Sequence, residues 1–231
     1  MAILLPRLPY PVGQNRKMTP RVSAKSAATW RSEHEVRLDH VTLKASDAEW
    51  LSPVRRLTLW AVKVPGDLFS SLPQLEWLDI RGGSGLSIDN VRGCQALTYL
   101  QINQVRGLHD LSALASLTTL RLLSLYGLPQ VRSLPSLGAL TALERLQIGS
   151  MKGISGLGPV LDAPCLKDLL LIKAVALAQE DADAIAAHPS LRAFTWHGED
   201  IPVKTWAPVV ERVGRARVRN LHPWEWFDEN P

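Results

Sequence analysis

Leu97-Thr-Tyr-Leu100-Gln-Ile102, Leu120-Arg-Leu-Leu123-Ser-Leu125, Leu143-Glu-Arg-Leu146-Gln-Ile148 and Leu166-Lys-Asp-Leu169-Leu-Leu171 are one six-residue phrase, repeated every 23 residues. Apolar residues hold positions 1, 4 and 6, and the rest vary. A fixed period of this length predicts a solenoid, because one unit cannot bury its own apolar side and must stack on the next. In a strand, positions 4 and 6 point to one face and positions 3, 5 and 7 to the other. The aliphatic residues then turn inward, and the variable ones line an exposed parallel sheet.

Working outward, the phrase extends both ways. Upstream are Leu75-Glu-Trp-Leu78-Asp-Ile80 and Val54-Arg-Arg-Leu57-Thr-Leu59; downstream are Leu191-Arg-Ala-Phe194-Thr-Trp196 and a degenerate Val213-Gly-Arg-Ala216-Arg-Val218. Leu38-Asp-His-Val41-Thr-Leu43 has the same spacing but starts only 16 residues before Val54, so residues 29–53 are expected to cap the stack, with Trp30 and Trp50 packed inside the cap. Between strands, apolar residues recur every three positions, as at Leu108, Leu111, Leu114 and Leu117. That rhythm suits 3₁₀ turns better than full α-helices. Gln179 to Ala187 should form a short helix ended before Pro189, and Val203 to Val213 another. The organisation expected is therefore a basic flexible arm at 1–28, a cap at 29–53, repeats at 54–200 and a C-terminal cap at 201–231 with the degenerate last copy. Trp224, Trp226 and Phe227 are expected to fold back over the last coil, the alternative being a Trp-rich tail that docks a partner; the outward Leu122, Leu170 and Ile172 are apolar area open to a partner or to cover by that tail.

The 231 residues are 46% apolar, enough for a folded core. No apolar run nears the ~18 residues that span a bilayer, so no membrane insertion is expected, and three early prolines make a poor signal-peptide core. Six basic residues and no acid fall within 1–32; taking those six from the net charge of +4 leaves −2 on the rest. Cys94 and Cys165 precede strands three coils apart, ~14 Å at ~4.8 Å per strand, too far for a disulfide. Buried free thiols and a reducing, cytoplasmic setting are expected.

Three strings of outward residues form a map of the concave side. On it, Trp60, Trp77, Tyr99 and Tyr126 stand among Arg56, Asp79, Arg81, Gln101, Asn103 and Arg145. Aromatics with arginine are the composition of protein-binding hot spots, and these ten residues are the expected partner-binding set. No catalytic constellation emerges: His109-Asp110 and His197-Gly-Glu199-Asp200 place histidine near carboxylates without a nucleophile. Neither zinc spacing nor a phosphate-cradling loop occurs, so no metal, cofactor or small-molecule substrate is expected. Arg212, Arg215, Arg217 and Arg219 read as arginines on the outer face of an edge strand, too narrow a stripe for nucleic acid.

Over 54–218 the chain resembles the leucine-rich repeat family, and its period and Gly-Leu-x-x-Leu strokes resemble bacterial repeats of the internalin sort. The resemblance implies an α/β solenoid, a right-handed superhelix of strands and 3₁₀ or α turns with a parallel sheet on its concave face. One departure stands out: the Asn usual at position 9 is replaced by Val62, Gly83, Val105, Leu128, Met151 and Ala174. The resemblance further implies a non-enzymatic module that binds a protein, such as an immunity protein neutralising a toxin. The alternative is a regulatory adaptor or effector scaffold drawn to acidic surfaces by its basic arm.

Overall fold

The seven copies of the phrase from Val54 to Trp196 become strands of five residues or more because their aliphatic residues can be buried only on one side of an extended chain. The computed structural model describes residues 23–231. Most of the expected basic arm, with Arg7, Arg16, Lys17 and Arg21, lies outside the described residues. Nine strands form one sheet in sequential order: β1 (Thr29–Ser32), β2 (Glu35–Asp39), β3 (Arg56–Trp60), β4 (Trp77–Arg81), β5 (Tyr99–Asn103), β6 (Leu122–Tyr126), β7 (Arg145–Met151), β8 (Asp168–Val175) and β9 (Ala193–His197). β1 pairs antiparallel with β2, and every later neighbour pair is parallel. From β3 to β9 equal positions of the phrase face each other, so Arg56, Trp77, Tyr99, Leu122, Arg145, Asp168 and Ala193 stand in one row.

The inward row is fully buried: Leu57, Leu78, Leu100, Leu123, Leu146 and Leu169 have no exposure. The return strokes include 3₁₀ segments at Phe69–Ser71, Asp89–Val91 and Ser112–Ser116. Short helices are α1 (Ala48–Leu51), α2 (Gly158–Leu161), α3 (Asp181–Ala187), α4 (Val203–Val213) and α5 (Pro223–Glu229). One continuous apolar core runs from Ala24 to Val213.

The missing Asn is replaced at the backbone. Position 8 of successive coils is left-handed in His40, Ala61, Gly82, Gln104, Gly127, Ser150 and Lys173, with φ between 49° and 66°. This turns the chain sharply and points the next residue inward, so that Leu128 and Met151 are fully buried. The position-8 amides of His40, Ala61, Gly82, Gln104 and Gly127 each donate to the position-7 carbonyl of the following coil at 2.7–2.9 Å. A backbone ladder between coils thus stands where the Asn ladder usual in the family would lie, and the expected apolar packing fills the space beneath it.

Four expectations are corrected. Leu38 pairs with Leu59, so it occupies position 6 rather than position 1, and the first strand lies five residues earlier than the Leu38–Leu43 reading. Val36 and Leu38 are its buried pair, and the interval to Val54 becomes a regular 21 residues. In the cap, Trp50 packs against the core, whereas Trp30 stands half-exposed with its edge to Trp50 at 6.0 Å. Cys94 is buried, with burial pushing its thiol up to about 11, but Cys165 is exposed. The degenerate copy makes a single parallel bridge, Ala216 to Ala193, one residue out of the expected register, and no edge strand forms there. Its arginines are ties: Arg212 pairs with Asp183, and Arg215 donates to the Ala186 carbonyl at 2.8 Å.

Candidate functional site

Past Val218 the chain does not stop over the last coil. It crosses the concave sheet and lays α5 on β4, β5 and β6. Trp226, only 3% exposed, forms a second apolar cluster with Tyr99 and Leu122, flanked by Trp77, Leu221 and Phe227. The physical reason is in the map itself. Trp77 and Tyr99 sit side by side in the ladder and stack at 3.8 Å between centroids, presenting an aromatic floor too large to leave in water. Phe227 closes on it at 5.7 Å from Trp77 and 6.5 Å from Tyr99. Arg121 lies over both Trp226 and Phe227 at 5.6 Å, and Arg219 pairs with Glu229 at the far end of the helix.

Three of the ten expected contact residues are buried: Asp79 beside Arg81, and Tyr99 and Arg145 under the tail. Tyr99 and Arg145 are each 1% exposed. Tyr99 donates its hydroxyl to Gln101 at 2.7 Å, and burial, with the Asp79 charge nearby, holds that phenol far above its ordinary range. Arg145 donates to the Arg219 carbonyl at 3.2 Å, which fastens the tail to the sheet. Its Nη1 stands 3.7 Å from Asp168, a charge contact too long for a hydrogen bond, and neither Nε nor Nη1 has a hydrogen-bond partner. Burial lowers the Arg145 value and raises the Asp168 carboxyl, each partly offset by the other's charge. Leu170 of the same face is buried as well.

The open half lies toward the N-terminus. There a groove of about 730 Å³ runs from His222, Pro223 and Trp224 across the strands to Arg31. Six of the expected residues line it: Arg56, Trp60, Trp77, Asp79, Arg81 and Gln101, with the covered Tyr99 at its inner end. Arg81 clamps Asp79 with both Nε and Nη2 at 2.6–3.0 Å, which raises the guanidinium value and holds the buried carboxylate as an acceptor. Arg56 lies over the Trp77 ring at 5.3 Å, and Arg37 over Trp60 at 5.4 Å. Trp60 is nonetheless 41% exposed and Trp224 50%. Asn103 sits at the rim beside Arg81, and Tyr126 sits one coil further on over Gly149, where a Cβ would come within 2.5 Å of the Tyr126 ring.

Sequence reasoning missed Arg31, Glu35, Arg37 and the tail residues at the groove. Glu35 and Arg37 follow from the register, since an interval of 21 residues, equal to the next one, would have placed Glu35, Arg37 and Asp39 on the concave map; Arg31 comes with β1, which pairs antiparallel and lies outside the repeat. For the tail the sign is only the outward apolar Leu122, Leu170 and Ile172, open to a partner or to the tail; its landing on Trp77 and Tyr99 depends on the aromatic floor itself. Among the described residues, no three His, Cys, Asp or Glu side chains cluster as a metal site. His109 and His197 are exposed, and Asp200 pairs with Lys173 at 2.8 Å. No helix among the described residues is long and apolar enough to cross a membrane.

Neither a protein-family model nor a curated protein matches the sequence. Among solved structures, internalin C2 of Listeria monocytogenes aligns over 69% of this chain and 69% of its own, with TM-score 0.51 and 18% identity. An internalin F from the same organism aligns over 76% of this chain and 50% of its own, with TM-score 0.49 and 22% identity. With the stacked parallel strands, the buried leucine rows and this likeness, the chain has the leucine-rich repeat fold.

Proposed function

We propose that this chain is a protein-binding module without a catalytic role, and that its contact surface is the N-terminal half of the concave sheet. The observation that supports it most is the open groove walled by Trp60, Trp77 and Trp224 with arginines stacked on two of them. Fold economy does not account for a 41%-exposed tryptophan in mid-sheet. Aromatic and arginine anchors in a desolvating cleft are where interface energy concentrates. The sheet below is a rigid ladder, so such anchors bind with little ordering cost.

The reading is tested by replacing Trp60 and Arg37 with alanine together and measuring affinity for a partner purified on the wild-type chain. A loss of about 30-fold or more, with unchanged melting temperature, is expected for two anchors. Unchanged affinity removes this face. Toxin neutralisation is a particular form of the same reading; it requires that the partner be a toxin and that co-expression of this chain protect cells from it.

A further inference from the structure

The concave face already holds one ligand, its own tail, and the chemistry of that tail is specific. Residues Pro223–Glu229 read Pro-Trp-Glu-Trp-Phe-Asp-Glu: three aromatics, three acids and no base. Trp226 and Phe227 cover the Trp77–Tyr99–Leu122 floor, while Arg121 and Arg219 flank them. The adjoining groove offers the same elements at its surface. Trp60 and Trp224 are exposed beside Trp77. Four arginines line it against two carboxylates. Both carboxylates are already engaged, Glu35 by Arg31 and Asp79 by Arg81, and Arg37 pairs with Asp39 at the groove's edge at 3.2 Å. Among the described residues Arg56 has no carboxylate within ion-pair reach, and it rests on Trp77 alone.

We infer that this groove takes an acidic, aromatic-bearing polypeptide segment of the partner protein, seated in line with α5. The inference rests on the protein-binding reading above and adds the partner's chemistry. Four strands at ~4.8 Å make ~14 Å of groove, room for a helical segment of about nine residues at ~1.5 Å each. Burial of its aromatics supplies affinity, and its carboxylates pair with Arg56, the groove arginine without a carboxylate partner among the described residues, and select it over neutral or basic segments. A single-stranded nucleic acid could stack on the same tryptophans, but the acidic, aromatic helix α5 already lies on the continuation of this face, which favours a polypeptide of the same chemistry.

The test uses the full chain and fluorescence anisotropy with three probes. One is a labelled peptide of residues 221–231, one is that peptide carrying E225K, D228K and E229K, and one is a single-stranded oligonucleotide of about twelve nucleotides. The acidic peptide is expected to bind, the lysine version to bind at least about tenfold more weakly, and Arg56→Glu to weaken the acidic peptide by at least about tenfold. Arg37→Glu serves as the second variant, and melting temperatures report whether each is folded. Equal binding of the two peptides overturns the acidic inference while leaving a protein-binding face. Binding of the oligonucleotide alone overturns both readings. Binding that Arg56→Glu and Arg37→Glu leave unchanged overturns the location, since the peptide then sits elsewhere, as by displacing α5. No binding of any probe overturns the inference.

Discussion

At the residue scale, the turns of this solenoid rest on a conformation rather than on a side chain. Non-glycine residues in the left-handed region cost ~1–2 kcal/mol each, and Ala61, Gln104, Ser150 and Lys173 all sit there. Ala61 makes no side-chain hydrogen bond that a replacement would lose. Ala61→Gly is therefore expected to raise stability by about 0.5–1 kcal/mol, read as a higher urea midpoint at unchanged slope. The opposite change, Gly127→Ala, places a Cβ 2.9 Å from the Gln104 side chain at a φ of 66° and should cost about 1–2 kcal/mol. Charge gives a second residue-scale test. Burial pushes the Glu144 carboxyl upward, but hydrogen bonds and charge from Lys167 (2.6 Å) and Arg121 (3.3 Å) outweigh it and leave the value depressed. A depressed carboxylate stabilises the fold above the ordinary glutamate range and loses that contribution as pH falls through the native value. Glu144→Gln should cost about 1 kcal/mol at pH 7, and the gap to wild type should close as the pH is taken below about 3. A gap that persists in acid would show that Glu144 acts through packing instead.

At the element scale, α5 is the piece whose position decides the site. It is seven residues long, too short to hold as a helix alone, and it is ordered by what it covers. Trp226→Ala should remove about 3–5 kcal/mol of local packing. The stacked coils do not depend on it, so far-UV circular dichroism should change little while the near-UV aromatic signal collapses and Tyr99 becomes reachable by solvent probes. Loss of the whole fold on this change would mean that the tail is part of the core rather than a cover. The N-terminal element teaches something different. Its apolar spacing fits two registers, Leu38 at position 1 or at position 6, and pairing with β3 selects the second because that buries Val36 and Leu38 together. The two residues brought to the groove by that choice, Glu35 and Arg37, were legible only through the interval to the next coil, and Arg31 arrives with the antiparallel β1.

At the scale of the whole molecule, the core is one cluster from Ala24 to Val213, without a polar break between coils. Nearest-neighbour stacking of this kind couples each coil to the next. Urea unfolding watched at the N-terminal end (Trp30 and Trp50) and at the C-terminal end (Trp196 and Trp206) through single-tryptophan variants should give coincident transitions. Leu123→Ala, in the middle, should shift both together by about 2–4 kcal/mol. Separate midpoints would show that the stack melts from one end. The repeat phrase by itself determined the coil, the inward leucine rows, the 3₁₀ strokes and the helix at Val203–Val213, because each follows from local periodicity and nearest-neighbour burial. What only the tertiary structure decided was which half of the concave face stays open. The tail that closes the other half lands on Tyr99 and Leu122, about a hundred residues away in sequence, and no local pattern records a contact whose energy comes from two distant aromatic surfaces leaving water together.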